Sequence, residues 1–516
     1  MSPRVLVLGW DGATWDVLDR LLDAGRVPHL ARLLDGGARA VLRSTDPPVT
    51  PAAWTSLATG MDPGRTGVLG FRHQDLRRLS GYSPRLAGGD DLRGRTLYEH
   101  AAASGLGVAL VAHPMTWPPF PLPGGALLAG WPRPETRDPP VWPPELAEPL
   151  RPWGVEQDRP SDATRTRDGA RDPLRAAEEL DARTMRVARR WLTERSDALT
   201  FVGLQGTDHV AHRFWGCPEL DDVYARCDGW LGELQEIAPD ASVVIVSDHG
   251  FGPGPTGIVH LGRALEVAGL ARAAAPRPAR RLAALRHALP TDRWKAVRAR
   301  LPNGLRRWGF EGAGGHQAGH TRVTRVPLYE GWEGLVVQVR GRQRGGVVDP
   351  ADYQRVREQA RRAVLAVADE AGPVAVRVVD REEVWRGPQL SGFPDLLVEL
   401  RPELTGGAAV GDGPVVEPRV RPEGEGSHRP DGIFVASGPG FAAGEVAPIP
   451  PQDVIATALA VLGLGVPETV DGRPRADLLT AEAPRPVPRR SGQRSEVPHM
   501  QDRASLEASL EALGYL

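Results

Sequence analysis

The sequence predicts an α/β fold: a central, mostly parallel sheet with helices on both faces. Three observations predict it. Short apolar runs alternate along the chain with segments of helical length. Several of the runs lack polar alternation, as strands covered on both faces do. The 516 residues are 41% hydrophobic and 25% charged, which supplies a large buried core.

Taken in order, Arg4–Leu8 holds Val5-Leu6-Val7-Leu8 and reads as a buried strand. Ala13–Ala24 follows with the spacing of a helix. Gly107–Ala112 is a second strand, Leu174–Glu194 a long helix, and Leu199–Gly203 a third strand. Leu220–Ile237 is helical, and Val243–Ser247 is a strongly apolar strand. Leu335–Val339, Val374–Val379, Leu396–Glu399 and Ile433–Ala436 read as further strands. Ala351–Ala371 and Gln452–Leu462 read as helices. No internal repeat is visible.

Three stretches break the alternation. Residues 131–172 are rich in Pro, Arg and Asp and read as a surface excursion. Residues 271–308 carry ten arginines and Lys295 against the single acid Asp292. Leu282, Leu285, Leu289, Trp294, Val297, Leu301 and Leu305 recur there at near-helical spacing, so an Arg-rich helical cap is predicted over 255–330, inserted in a core spanning 1–480. Residues 481–516 form a Pro/Arg-rich tail, with a short helix at Leu506–Leu516.

Composition excludes several chemistries. The net charge of −2 gives no basic field for a nucleic acid polymer. Lys295 is the one lysine, so no GxxxxGK[ST] phosphate loop exists and no kinase-type Lys–Glu pair is expected. Cys217 and Cys227 cannot build a disulfide framework or a cysteine zinc site. The first apolar run is too short for a signal core, and no run of about 18 apolar residues occurs. A cytoplasmic location is the expectation.

Asp, His and Thr collect in five short segments next to strands or helices. Ligands gather at the carboxyl ends of strands in an open α/β sheet, so distant residues can converge there. Asp11 follows the first strand, at Gly9-Trp10-Asp11-Gly12; alone it could be a turn or capping residue. Thr50 precedes Pro51, which favours the first helical position, so Thr50 reads as an N-cap close to free backbone N–H groups. Asp208 and His212, four apart, share a helical face, while His209 lies off it. Asp248 and His249 follow a strongly apolar strand and precede Gly250. His428 stands just before the strand at Ile433. Together these are three Asp, three His and one Thr. Such a set can fill two adjacent divalent-metal sites with a threonine alkoxide between them, and hydroxyl attack on phosphorus would give a phosphothreonine.

At these residues the sequence resembles the alkaline phosphatase superfamily, and within it the type I phosphodiesterase/nucleotide pyrophosphatase group with its bacterial phosphohydrolase and phosphomutase relatives. The matching segments run in order: a strand ending in Asp11-Gly12, the block from Thr50 to Gly67 (Thr-Pro-x-x-Trp-x-Ser-x-x-Thr-Gly-x-x-Pro-x-x-x-Gly), Asp208-x-x-x-His212, Ser247-Asp248-His249-Gly250, and the late His428. The resemblance covers about residues 3–475 and implies an alkaline-phosphatase-like fold. It implies that Asp11, Asp248, His249 and the Thr50 oxygen bind one metal, and Asp208, His212 and His428 the other. Zinc is usual in the phosphodiesterase branch and manganese in the phosphomutase branch. Nucleotide pyrophosphatases hold a phosphate oxygen with an Asn after the nucleophile. This chain's one asparagine is Asn303, so backbone N–H groups near Ala52 and Ala53, beside Trp54, are the expected substitutes. A sulfatase reading is weaker, because no Cys lies near Thr50.

The resulting expectation is a metal-dependent phosphoryl hydrolase of the phosphodiesterase type, acting on a small phosphate ester or diester. A phosphomonoesterase or phosphomutase is the alternative, and a non-catalytic, metal-stabilised binding protein the third. Trp10, Trp15, Trp54 and Trp215 could form an aromatic pocket for a diester's second group, or simply pack. His316 and His320 could line a cleft, or belong to a loop. Residues 271–308 read first as a solvated lid and second as a contact for a polyanion or an anionic membrane surface.

Overall fold

The computed structural model describes residues 3–77, 82–134, 136–155, 172–273, 316, 317, 319–490 and 510. The basic stretch predicted at 271–308 lies outside them from residue 274 onward, as do Asn303, part of the 131–172 excursion and nearly all of the tail helix. The chain divides into two compact units, one of residues 1–71, 86–254 and 422–516, the other of residues 72–85 and 255–421. The longer segment of the second unit runs from Pro255 to Arg421; the cap was expected over 255–330.

The first unit is built on a nine-stranded sheet. Its strands, in chain order, are β1 (Val5–Trp10), β2 (Ala38–Arg43), β3 (Val108–His113), β4 (Ala126–Ala129), β5 (Val141–Trp142), β6 (Leu199–Leu204), β7 (Ser242–Val246), β10 (Asp431–Ser437) and β11 (Gly444–Glu445). Two more strands, β8 (Gly250–Pro253) and β9 (Gly426–Arg429), pair with each other as a separate ribbon. The spatial order of the sheet is β11-β2-β10-β7-β1-β6-β3-β4-β5. From β7 to β4 all neighbours are parallel; β10 and β5 join antiparallel. The sheet is therefore mostly parallel, as the apolar runs predicted.

Those runs are apolar throughout because both faces are covered. Successive side chains of a strand point to opposite faces. Val5 and Val7 enter one core cluster, while Leu6, Leu8 and Trp10 enter the other. Val244 and Val246 divide from Val243 and Ile245 in the same way, as do Phe434 and Ala436 from Ile433 and Val435. On the Val5 face lie helices α3 (Thr50–Thr59), α4 (Leu97–Ala103) and α8 (Pro451–Val461). On the Leu6 face lie α1 (Trp15–Asp23), α2 (Pro28–Asp35), α5 (Pro173–Glu194), α6 (Gly206–Phe214) and α7 (Pro218–Ile237). No helix among the described residues is long and apolar enough to cross a membrane.

Three predicted strands belong elsewhere. Trp332–Val337, Leu396–Leu400 and Ala375–Asp380 form the second unit's own sheet with Val323–Tyr329, antiparallel throughout. Its core gathers Leu335, Val356, Ala360, Leu396 and Val398. The helix predicted at Ala351–Ala371 stops at Leu365, because Ala368–Asp369 turns back to pair with Gly372–Pro373. Proline at 373 cannot continue a helix.

Candidate metal centre

Register brings the predicted residues together at one end of the sheet. Trp10 stands opposite Leu204, and Gly9 opposite both Gly203 and Val246, so β1, β6 and β7 end level with one another. The chain leaves these three ends as Asp11-Gly12, Gln205–Asp208 and Ser247–His249. Gly12 turns sharply with φ of 67°, a left-handed conformation that favours glycine, and its N–H donates to Asp248 Oδ1 at 3.2 Å. His428 arrives on β9 directly opposite Phe251 of β8. Thr50 comes from the Val5 face and Asp208 and His212 from the Leu6 face, so the site draws on both layers of helices.

The seven predicted residues converge. Asp11, Thr50, Asp208, Asp248, His249 and His428 are buried, and His212 is partly exposed. One group of mutually close donor atoms is Asp11, Asp248 and His249; a second is Asp208, His249 and His428, each within 4.8 Å of one another. His249 Nε2 lies 3.4 Å from Asp248 Oδ2, 3.8 Å from Asp11 Oδ1 and 4.0 Å from Asp208 Oδ1. His428 Nε2 lies 3.1 Å from Asp208 Oδ1 and 3.2 Å from His212 Nε2, and His212 Nε2 lies 3.5 Å from Asp208 Oδ1. Thr50 Oγ1 lies 3.4 Å from His249 Nε2.

The imidazoles are oriented by backbone. His428 Nδ1–H donates to Pro48 O at 3.0 Å, and His249 Nδ1–H to Gly250 O at 3.1 Å. Each ring therefore presents its Nε2 lone pair to the carboxylates. Phe251 packs against His212, His249 and His428, with ring centroids 4.9, 5.9 and 4.9 Å away.

This arrangement fits divalent cations. Asp11 Oδ1 and Asp248 Oδ2 are buried with no hydrogen-bond partner in the protein. Burial and the neighbouring Asp208 push Asp248 up to about 8. Burial, then Asp248 and Asp208, hold Asp11 well above its ordinary value. Burial would also raise Asp208, but His212 and His428 outweigh it and hold that carboxyl well below. Three carboxylates and inward lone pairs at these distances are mutually repulsive unless positive charge enters among them.

The remaining candidates fall as follows. Thr50 is not the cap: Val49, in extended conformation, holds that position and Thr50 is the first helical residue. Its hydroxyl is thereby turned toward His249 rather than its own helix. Ala52 and Ala53 are buried in the first turn of α3; the Ala53 N–H bonds Val49 O, whereas Ala52 stands where a helix supplies no partner of its own. Trp54 is fully buried, and its indole N–H donates to Asp11 Oδ2 at 2.9 Å. Trp10 is buried as well, Trp15 donates to Ala40 O beneath Arg39, and Trp215 stacks on Phe251. His209 meets Trp131 edge-on, away from the ligand groups. His316 belongs to the second unit, where it faces Glu266 at 3.1 Å.

Sequence reading missed His113. At the end of β3 it is fully buried among Trp54, Tyr98 and Phe201, and its Nε2 has no partner. Burial lowers it to about 4. A histidine whose folded value lies below its unfolded value stabilises the fold above the unfolded value and loses that contribution as pH falls toward the folded one. The window is therefore about pH 6.5 down to 4, and the total about 3 kcal/mol. Urea unfolding at pH 7 and pH 4.5 is expected to show a larger acid loss in the wild type than in His113→Phe. Equal losses would show that His113 is not held neutral.

The donor set at the carboxyl ends of the strands is that of a candidate metal centre, and the family match shows a hydrolase acting on phosphoric ester bonds. The chain belongs to the type I phosphodiesterase/nucleotide pyrophosphatase family, whose model matches residues 5–413. Among solved structures it is similar to phosphonoacetate hydrolase from Sinorhizobium meliloti in complex with phosphonoacetate, with a TM-score of 0.56 at 14% identity, covering 89% of this chain and 96% of that one. Human ectonucleotide pyrophosphatase/phosphodiesterase 5 matches with a TM-score of 0.50 at 11% identity over 93% of this chain and 100% of that one. These likenesses show the alkaline-phosphatase-like fold. No curated protein sequence matches the chain.

Proposed function

We propose that this chain is a two-ion phosphodiesterase that uses Thr50 as nucleophile. One observation carries the reading: Thr50 Oγ1 lies 3.4 Å from the His249 Nε2, and His249 belongs to both groups of donor atoms. Asp11, Asp248 and His249 would hold one ion, and Asp208, His212 and His428 the other. Bound there, two divalent ions would supply Lewis acidity, lowering the hydroxyl pKa and neutralising phosphoryl charge. Three imidazoles and three carboxylates suit zinc first and manganese second.

The Thr50 hydroxyl gives up its proton to solvent, Oγ forms a bond to phosphorus as the bond to the leaving oxygen breaks, and that oxygen takes a proton from solvent. Water then attacks the phosphothreonine, the P–Oγ bond breaks, and the hydroxyl is restored. The first turn of α3 is placed to receive a nonbridging oxygen through backbone N–H at Ala52. Trp54 acts from behind by orienting Asp11 rather than by touching substrate. The substrate class is a small phosphate diester.

The test compares bis-p-nitrophenyl phosphate with p-nitrophenyl phosphate, on protein loaded separately with zinc and manganese. The expected result is at least tenfold higher kcat/KM for the diester. A monoester preference would replace this reading with a phosphatase or phosphomutase.

A further inference from the structure

Helix α6 carries both Asp208 and His212, yet nothing in its own sequence caps it. Its N-cap, Gln205, makes no side-chain bond to the helix. The first N–H groups of a helix lack internal partners, and a short helix with unsatisfied donors frays. Here the partner comes from another helix. Asp181, in the middle of α5, is turned inward and buried, and it reaches the start of α6 with both oxygens. The Gln205 N–H donates to Asp181 Oδ1 at 2.9 Å, and the Gly206 N–H to Asp181 Oδ2 at 2.9 Å. A Cβ at residue 206 would lie 2.5 Å from Asp181 Oδ2, so only glycine lets the carboxylate come this close.

We propose that Asp181 is a positioning residue for one half of the metal centre. It locks the start of α6 against α5 and so fixes where Asp208, two residues beyond Gly206, and His212, one turn further, place their ligand atoms. The inference rests on the two-ion reading above. Asp181 is no ligand itself, since it belongs to neither group of close donor atoms. The carboxylates of the other half are held from outside α6: the Trp54 indole N–H donates to Asp11 Oδ2 and the Gly12 N–H to Asp248 Oδ1, while α6 reaches only the backbone carbonyl of Asp11, through the Thr207 hydroxyl. Carboxylate and histidine ligands tolerate little misplacement, and loss of an outer hydrogen bond to a ligand commonly costs tenfold or more in metal affinity.

The test is a cobalt(II) titration of the metal-stripped full-length chain, read by visible absorption and by calorimetry. The wild type is expected to take up two equivalents. Asp181→Ala should weaken one equivalent at least tenfold and leave the other within twofold. The spectrum of the ion that remains should match that of His212→Ala, and differ from that of Asp248→Ala. Asp181→Asn keeps one acceptor and should fall between. Gly206→Ala reaches the same contact from the other side and should reproduce the loss, which keeps the test open should Asp181→Ala not fold. Unchanged affinity for both equivalents, or equal weakening of both, would overturn the anchor. A wild type that binds fewer than two equivalents would instead overturn the two-ion reading, and the anchor's assigned role with it.

Discussion

Thr50→Ala is expected to lower kcat on a diester by a thousandfold or more while the chain still binds two metal ions. Thr50 is the first residue of α3, so its side chain does not cap the helix, and Ala is the better helix former at that position. The loss in folding stability should therefore stay within about 1–2 kcal/mol, as for other small core truncations. What disappears is the hydroxyl 3.4 Å from His249 Nε2. A residue whose contribution exists only in the covalent step lowers kcat without a matching change in ground-state binding. Initial rates, metal content by elemental analysis and a urea melt, measured on the same preparation, decide the matter. Full turnover with metal bound would end the threonine mechanism. Lost turnover accompanied by lost metal would show that Thr50 is needed as a ligand before it is needed as a nucleophile.

Stripping the metal is expected to destabilise the protein, and more so as pH rises. Asp248 is pushed up to about 8 and Asp11 lies well above its ordinary value, both chiefly through burial. An acid with a raised folded value binds more protons folded than unfolded, so stability falls with rising pH between the two values. Two other groups limit the useful window. His249, lowered by burial, works in the opposite direction below about pH 6.5, and Asp208 loses its contribution only below the ordinary carboxylate range. Between pH 6.5 and 8.0 the two raised carboxylates act in this direction. Metal-free protein should lose about 2 kcal/mol over that interval for each carboxyl still protonated at its start. Saturating zinc should remove most of the dependence, because bound cations replace the protons and stabilise by mass action. Urea midpoints of the metal-free and zinc-loaded forms at the two pH values test this. A metal-free form whose stability stays level or rises would mean that the three carboxylates are not desolvated together.

Much of the fold was legible because burial on both faces leaves a local mark. Val5–Leu8 and Val243–Val246 are apolar without alternation, and each proved to divide its side chains between two cores. Strand β2 was missed for the opposite reason: Ala38-Arg39-Ala40-Val41-Leu42-Arg43 carries two arginines and small residues, and half its side chains reach the surface. The destination of a strand was also hidden. Leu396–Leu400 is apolar at four of its five positions, yet it pairs in the second unit's antiparallel sheet. Apolar pattern says that a strand is buried, not which neighbour buries it.

The site shows the same division. Residue type and local pattern pointed to the α/β class, and the ordered motifs of the family resemblance picked out the seven residues that converge, where aspartates and histidines are costly to bury without a purpose. The tertiary structure alone decided how they are held. Trp54, expected beside the substrate, is fully buried and bonded to Asp11, 43 positions away. Asp181 and His113 carry no motif at all; one sits in an ordinary helical run and the other ends an ordinary strand. Their partners lie in other elements, brought near by sheet register and by helix packing across each face. Sequence spacing reports neighbours within a turn or a strand. It carries no direct record of contacts that form only when distant elements stack.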